Sequence, residues 1–173
     1  MNLPNKLTMA RVICVPIYAV LFLNKLYIWA FIVFVIASLT DMFDGKIARK
    51  RNMVTNFGKI MDPLADKVLV YAAFALFVQK GLVPGWMLIV ILAREFAVSG
   101  MRTVAASEGK VIAAGMTGKI KTVLQMFATL CLILSPYHYY IEVAGKILLW
   151  ASLIMTVVSG AEYIIKNKDV FSM

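Results

Sequence analysis

Four aspartates lie close together in the sequence, at spacings that place them on helix faces. Asp41 and Asp44 are three residues apart, and Asp62 and Asp66 are four residues apart. Residues three or four apart share one face of an α-helix, so each pair forms one acidic stripe. The two segments are joined by a short basic loop, which predicts neighbouring antiparallel helices. Their acidic stripes are then expected to meet near one end of both helices.

This set of carboxylates indicates divalent metal binding. Four carboxylates beside long apolar runs repel one another and lose hydration, which is costly unless cations lie between them. Mg²⁺ prefers a few carboxylate oxygens and completes its coordination with water and substrate phosphates. Two such ions would bridge a pyrophosphate and stabilise a departing nucleotide phosphate. The aspartates therefore predict phosphoryl-transfer chemistry with two Mg²⁺ or Mn²⁺ ions.

Simpler structural interpretations exist for each aspartate pair taken alone. Asp62 is followed by Pro63, a pattern typical of a helix N-cap with proline at the first helical position. Asp44 is followed by Gly45, a pattern common in turns. Neither explains why small residues lie within one turn of the carboxylates, where they would let a substrate approach the backbone. These small residues are Gly45, Ala48 and Gly58.

The composition predicts that helices embedded in a membrane position these residues. The chain has 173 residues, of which 62% are hydrophobic, and its mean hydropathy is +0.84. Soluble domains are about 45 to 50% apolar. One membrane span needs about 20 mainly apolar residues, so residues 1–173 are expected to form a single all-α bundle of six transmembrane helices. The predicted helices are 8–23, 27–50, 58–80, 84–106, 115–135 and 140–166.

The distribution of charge predicts the orientation of this bundle. The net charge is +9, but most of the basic residues lie between the apolar spans and on one side of them, with little beyond Lys25, Lys80 and Lys146 on the other. Membrane topology explains this distribution better than nucleic-acid binding does. By the positive-inside rule, that side, both termini and the aspartates face the cytoplasm. Ahead of the first helix, Leu3, Pro4 and Leu7 predict a short element in the membrane interface.

A second group of polar residues interrupts the fourth and fifth apolar segments. Ionisable residues within membrane segments are functional hypotheses by default, and arginine suits bidentate binding of a phosphate. Alternatively, Arg94 pairs with Glu95 or Glu162 as a purely structural contact, and the lysines extend to the interface. The group is Arg94, Glu95, Ser99, Arg102, Lys119 and Lys121.

The acidic segment resembles the signature of the CDP-alcohol phosphatidyltransferase family. The matching residues are Asp41-x-x-Asp44-Gly45-x-x-Ala48-Arg49 and Gly58-x-x-x-Asp62-x-x-x-Asp66. Members of this family have six transmembrane helices, are typically homodimers and transfer a phosphatidyl group from a CDP-activated lipid to a small alcohol. The resemblance implies that Asp41, Asp44, Asp62 and Asp66 bind two metal ions and that Asp66 is also the general base. It further implies that Gly45, Ala48, Arg49 and Gly58 line the site of the CDP group.

Three further segments resemble the bacterial branch of the family whose members make phosphatidylglycerophosphate from CDP-diacylglycerol and glycerol 3-phosphate. These segments are Leu3-Pro4-Asn5-x-Leu7-Thr8-x-x-Arg11, Arg94-Glu95-Phe96 with Ser99-Gly100-x-Arg102, and Gly118-Lys119-x-Lys121-Thr122. The resemblance implies that the acceptor or its phosphate is contacted by Thr8, Arg94, Arg102, Lys119 and Lys121.

Other functions remain open at this point. The same chemistry serves other acceptors, such as inositol phosphate, serine or phosphatidylglycerol. From a different class, a divalent-cation transporter would also need an acidic cluster. A transporter requires a polar path to the far side of the membrane, and Asn24, Lys80 and His138 do not extend one. The sequence therefore favours the transferase.

Overall fold

The computed structural model describes the backbone of residues 3–50, 56–107 and 115–167, and the side chains of residues 9–40, 67–106 and 115–167. Over these ranges the chain forms six α-helices and one 3₁₀ turn, without a β-strand. The all-α prediction is confirmed, and the predicted helix limits agree to within two residues except at the start of the first helix. The helices are α1 (Leu3–Leu23), α2 (Tyr27–Lys50), α3 (Asn56–Gln79), α4 (Gly85–Ser107), α5 (Met116–Leu134) and α6 (Tyr139–Lys166), and the 3₁₀ turn is Ser135–Tyr137.

The first helix begins earlier than predicted. Residues expected to form a separate interfacial element belong to α1, which runs from Leu3 to Leu23 as one helix. Pro4 lies in its first turn, where the missing N–H would have no helical partner in any case. No other breaker separates Pro4 from the apolar run, so the N-terminal segment is part of α1.

An aromatic core joins α1, α2 and α3. Tyr18 and Phe22 of α1 are fully buried, as are Phe34 of α2 and Phe77 of α3. The ring centroids of Tyr18 and Phe34 are 5.7 Å apart, and those of Phe22 and Phe77 are 5.6 Å apart. Such tilted and edge-to-face pairs add to the stabilisation that burial of apolar area provides. This core fixes the helices that carry the aspartates.

One end of the bundle is closed by a lysine among aromatic rings. Lys80 donates a hydrogen bond to the Tyr27 hydroxyl, and its ammonium lies 4.6 Å from the Tyr27 ring centroid and 5.1 Å from that of Phe22. The Tyr27 ring also contacts Tyr137 edge-on at 6.2 Å. These contacts bring the connections after α1, α3 and α5 together at one end of the bundle, as the predicted turns required.

Large apolar side chains are exposed on the described part of every helix, with Val68 as the one on α3. Large apolar side chains exposed on the outside include Ile13, Trp29, Ile89, Phe127 and Ile147. Soluble proteins rarely expose apolar area on this scale, whereas lipid tails solvate it. Within the described ranges, two segments are long and apolar enough to cross a bilayer, namely Met116–Tyr137 and Tyr139–Lys166. The fold is therefore that of a membrane protein.

The last two helices pack closely at a glycine. Gly145 of α6 is buried, and a Cβ at this position would lie 3.0 Å from the Leu132 side chain and 3.1 Å from Cβ of Cys131, both on α5. The Cys131 Cβ is fixed by its helix backbone and does not move by rotation of a side chain. Small residues at such contacts let membrane helices approach closely.

Gly145→Ala is expected to lower stability. The added methyl group must push α5 and α6 apart, and overpacking of this kind costs about 1–3 kcal/mol. Gly100→Ala on α4 is the matched control, because a Cβ there meets nothing within 4 Å and alanine favours a helix by up to about 1 kcal/mol. Thermal unfolding in detergent should give a lower Tm for the first variant and an unchanged or higher Tm for the second. Equal Tm values for the two variants would contradict this packing.

Candidate active site

The four aspartates lie on two helices, as their spacing predicts. Asp41 and Asp44 belong to α2, which continues to Lys50, and Asp62 and Asp66 belong to α3. Both simpler interpretations are wrong, since Asp44 is not in a turn and Asp62 is not at a helix start. The side chains predicted to bind metal, CDP or acceptor in this part of the chain lie outside the described residues, so their roles stay predictions. They are Thr8, Asp41, Asp44, Gly45, Ala48, Arg49, Gly58, Asp62 and Asp66.

A buried carboxylate, Glu95 of α4, lies among three described cations. Arg94 Nη1 donates to Glu95 Oε1 at 2.8 Å, and Lys121 Nζ of α5 donates to the same oxygen. Lys67 Nζ of α3 lies 3.4 Å from Glu95 Oε2. We call these four residues the Glu95 cluster. Three positive charges against one negative charge leave this cluster an excess of two positive charges.

Burial makes these ion pairs structurally important. Glu95 is 7% exposed and Lys121 is 3% exposed. An unpaired charge removed from water costs several kcal/mol, so neither residue can be buried without the other. Because the partners of Glu95 come from α3, α4 and α5, the cluster fixes the relative heights of these three helices. Ser99, one turn after Glu95, adds a further link by accepting a hydrogen bond from Lys67 Nζ at 2.6 Å.

Arg94 passes between α5 and α6. Its Nη2 donates to Ser159 Oγ of α6 at 2.9 Å. A Cβ at Gly160 would lie 3.1 Å from Arg94 Cγ, and one at Gly118 would lie 3.5 Å from Nη2. The two glycines therefore leave the space that the arginine occupies. Arg94 Nε is buried and has no hydrogen-bond partner among the described residues.

A cavity of about 620 Å³ opens beside the Glu95 cluster and is lined by α3, α4, α5 and α6. Its polar wall carries more positive than negative charge, which suits a phosphate group. Among the described residues, its lining cations are Lys67, Arg94, Arg102, Lys119 and Lys166, and its lining carboxylates are Glu95 and Glu162.

Contacts between helix ends frame this cavity. Glu162 of α6 accepts a hydrogen bond from Thr117 Oγ1 of α5 at 2.6 Å and one from Lys166 Nζ at 2.5 Å. Arg102 Nε of α4 donates to the Tyr163 hydroxyl at 3.2 Å, with its guanidinium 5.5 Å from the centre of the Tyr163 ring. Arg102 is thereby directed along the cavity wall.

The structure brings most of the predicted acceptor residues to this cavity. Arg94, Arg102 and Lys119 line it. Lys121 instead lies behind the wall, buried and bound to Glu95. The alternative interpretation of Arg94 as a purely structural residue predicted an ion pair with Glu95 or with Glu162. The pair with Glu95 is confirmed, and a pair with Glu162 is not observed. Arg94 is both part of the buried cluster and part of the cavity wall.

Sequence reasoning missed Lys67 and Ser159. Lys67 follows Asp66 and is rotated off the acidic stripe of α3, so it was not grouped with the acceptor residues. The sequence does place this cation at the start of an apolar run, and that position could have indicated a functional lysine. Ser159 carries no such signal, because small hydroxyl side chains in membrane helices commonly bond to their own backbone. Ser159 also does this, donating to the Thr156 carbonyl at 3.2 Å.

Comparison with known proteins identifies related sequences over nearly the whole chain. The family model for CDP-alcohol phosphatidyltransferase matches residues 1–158. A protein of Bacillus subtilis (strain 168) named CDP-diacylglycerol–glycerol-3-phosphate 3-phosphatidyltransferase is 46% identical, covering 96% of this chain and 95% of the relative. A Rickettsia typhi protein of the same name is 41% identical over 98% of this chain and 99% of its own length. A Mycobacterium tuberculosis protein named probable phosphatidylglycerophosphate synthase is 35% identical, covering 94% of this chain and 80% of the relative.

Glu95→Gln is expected to destabilise the protein strongly. The substitution leaves the buried Lys121 ammonium without its carboxylate, and removing one partner of a buried pair costs about 3–5 kcal/mol. Glu142→Gln is the matched control, since Glu142 pairs with Lys146 four residues later on the same helix and the two side chains are 31% and 47% exposed, far more than those of the Glu95–Lys121 pair. Such pairs contribute little. A large fall in Tm for Glu95→Gln alone is expected, and equal Tm values for the two variants would contradict the role of the cluster.

Proposed function

The chain belongs to the CDP-alcohol phosphatidyltransferase family, and from this membership we propose that it transfers the phosphatidyl group of CDP-diacylglycerol to sn-glycerol 3-phosphate. The products are phosphatidylglycerophosphate and CMP, which places the enzyme in phospholipid biosynthesis. Relatives named for this reaction match nearly the full length of the chain. The structural observation that carries the proposal is the cation-lined cavity beside α3, the helix that bears Asp62 and Asp66.

The acceptor occupies this cavity. Arg94, Arg102 and Lys119 bind the phosphate of glycerol 3-phosphate, because they line the cavity and carry donors for charge-assisted hydrogen bonds. Lys121 acts from behind the wall by holding Glu95, which in turn orients Arg94. The excess of positive charge favours acceptors with a phosphate group, such as glycerol 3-phosphate or inositol phosphate, over serine. Thr8 is assigned to the same acceptor site because its segment resembles the branch of the family that uses glycerol 3-phosphate.

The four aspartates would hold two Mg²⁺ or Mn²⁺ ions. Their carboxylate oxygens are ligands that these hard cations prefer, and the helical placement of both pairs on α2 and α3 supports one shared site. The bound ions would offset the pyrophosphate charge and stabilise the departing CMP phosphate. Gly45, Ala48, Arg49 and Gly58 lie on the same two helices and line the site of the CDP group.

Asp66 acts as the general base in this reaction. It takes the proton from the 1-hydroxyl of glycerol 3-phosphate, whose oxygen attacks the lipid-side phosphorus of CDP-diacylglycerol. The new oxygen–phosphorus bond forms as the bond between that phosphorus and the bridging oxygen of CMP breaks. The placement of Lys67 supports this role, because the residue directly after Asp66 lines the acceptor cavity.

The enzyme lies in the cytoplasmic membrane as a single domain of six spans. Exposed apolar side chains on all six helices support this arrangement. The aspartates, the cavity and both termini face the cytoplasm, in agreement with the basic residues on that side. Lipid tails of CDP-diacylglycerol remain in the bilayer while the headgroup reaches the polar site. Two copies form a homodimer, as is typical of the family.

Release of CMP tests the reaction. Purified protein with CDP-diacylglycerol and Mg²⁺ should release CMP with glycerol 3-phosphate, and much less with serine, inositol phosphate or phosphatidylglycerol. Asp66→Asn should abolish turnover without unfolding the protein, because an amide cannot accept the proton. Glu142→Gln, at the opposite end of the bundle, should keep wild-type activity. Wild-type turnover in Asp66→Asn would show that Asp66 is not the base. Faster CMP release with another alcohol would show that glycerol 3-phosphate is not the preferred acceptor.

Arg102→Gln tests the phosphate site. Loss of one charge-assisted hydrogen bond costs about 1.5–3 kcal/mol, so the KM for glycerol 3-phosphate should rise about tenfold or more. The KM for CDP-diacylglycerol should stay near the wild-type value, since Arg102 lies on α4 whereas the residues proposed to line the CDP site lie on α2 and α3. Tyr163→Phe keeps the ring beside Arg102 and should change the acceptor KM much less. An unchanged acceptor KM in Arg102→Gln would remove this residue from the phosphate site.

A further inference from the structure

Lys67 connects the helix that bears the aspartates with the acceptor cavity. Of the described residues that line the cavity, only Lys67 comes from α3. It follows Asp66 in the sequence, so the two Cα atoms are about 3.8 Å apart. Any displacement of Lys67 along α4 therefore displaces Asp66 by a similar amount.

Two side chains of α4 hold the Lys67 ammonium. Nζ donates to Ser99 Oγ at 2.6 Å and lies 3.4 Å from Glu95 Oε2. Ser99 and Glu95 are four residues apart and thus neighbours on one face of α4. The Glu95 side chain is 10% exposed and is held from other directions by Arg94 and Lys121. The lysine is therefore bound to a rigid part of the bundle.

Specific polar contacts are needed to fix the position of α3 along α4. Helices surrounded by lipid gain little from hydrophobic burial against each other, so packing and polar contacts determine their relative position. The Lys67 contacts act close to the cavity, where the relative position of base and acceptor matters. A lysine has three donor hydrogens, and the two contacts with Ser99 and Glu95 define the direction of its ammonium.

We propose that Lys67 is a positioning residue: held by Ser99 and Glu95, it sets the height of α3 on α4 so that the Asp66 carboxylate reaches the acceptor hydroxyl. The inference depends on the proposed function, because it assumes that Asp66 is the base and that the acceptor occupies the cavity. A positioning role affects the chemical step more than substrate binding. A misplacement of about 1 Å can reduce the rate about a hundredfold.

The test compares four variants and one control variant of the protein by CMP release, with kcat and both KM values measured. Lys67→Met should lower kcat about a hundredfold, because it misplaces the base that acts in the transition state. Both KM values should stay within about threefold of wild type, because loss of an interaction that the base makes only in the transition state lowers kcat without raising KM. Lys67→Arg keeps the charge and should recover part of kcat. Ser99→Ala should lower kcat less, by about fivefold, the effect of one neutral hydrogen bond of about 1 kcal/mol.

The double variant Lys67→Met/Ser99→Ala shows whether Ser99 acts through Lys67 or whether the two residues act independently. If Ser99 acts through Lys67, the double variant has the kcat of Lys67→Met, because coupled residues are not additive. Lys80→Met is the matched control: it removes a lysine next to the other end of α3, where the ammonium contacts aromatic rings, and should leave kcat unchanged.

Several results would overturn the proposal. A raised KM for glycerol 3-phosphate with unchanged kcat in Lys67→Met would make Lys67 a phosphate ligand instead. Additive losses in the double variant would mean that Ser99 acts independently. If Lys67→Met does not fold, Ser99→Ala keeps every charge, and a wild-type kcat in that variant would also reject the proposal. If wild-type protein is active only with another alcohol, the glycerol 3-phosphate assignment fails, and the same kcat comparison with that alcohol still decides the role of Lys67.

Discussion

Burial of one carboxylate determines much of this structure. Glu95 is nearly inaccessible and is bound by cations from three helices. A charge buried without partners would cost several kcal/mol, and Lys67, Arg94 and Lys121 all reach this carboxylate. That arrangement fixes α3, α4 and α5 relative to one another. It also leaves excess positive charge at the cavity wall, where the proposed phosphate-bearing acceptor would supply the balancing negative charge.

Arg94 combines an observed structural role with the phosphate-binding role proposed for it. Its bonds to Glu95 and Ser159 hold the guanidinium in place, and glycines at 118 and 160 provide the space for it between α5 and α6. A guanidinium fixed in advance loses little conformational freedom when it binds a phosphate. The structural contacts would therefore prepare the proposed binding surface, and the two interpretations of Arg94 do not exclude each other.

The proposed reaction divides the protein into two halves. The acceptor cavity is built mainly by α4, α5 and α6, while the aspartates proposed to bind metal and remove a proton lie on α2 and α3. The aromatic core holds α2 and α3 to α1. Catalysis requires the two halves to meet within bonding distance of one hydroxyl group. The contacts of Lys67 with Ser99 and Glu95 lie where the halves join, so the relative height of α3 and α4 has direct chemical consequences.

The sequence determined the properties that depend on neighbouring residues along the chain. Apolar runs and their breakers predicted the helices, apart from the early start of α1, and the spacing of Asp41, Asp44, Asp62 and Asp66 predicted their placement on α2 and α3. It also allowed the family to be recognised and predicted acceptor residues, of which Arg94, Arg102 and Lys119 line the cavity. Only the tertiary structure decided which cation meets which carboxylate, placing Lys121 behind the cavity wall and bringing Lys67 to Glu95. The physical reason is that helical periodicity gives the face on which a side chain lies, but neither its height relative to the next helix nor the direction of a long, flexible lysine. Those are fixed only when all the helices pack together and each buried charge must find a partner.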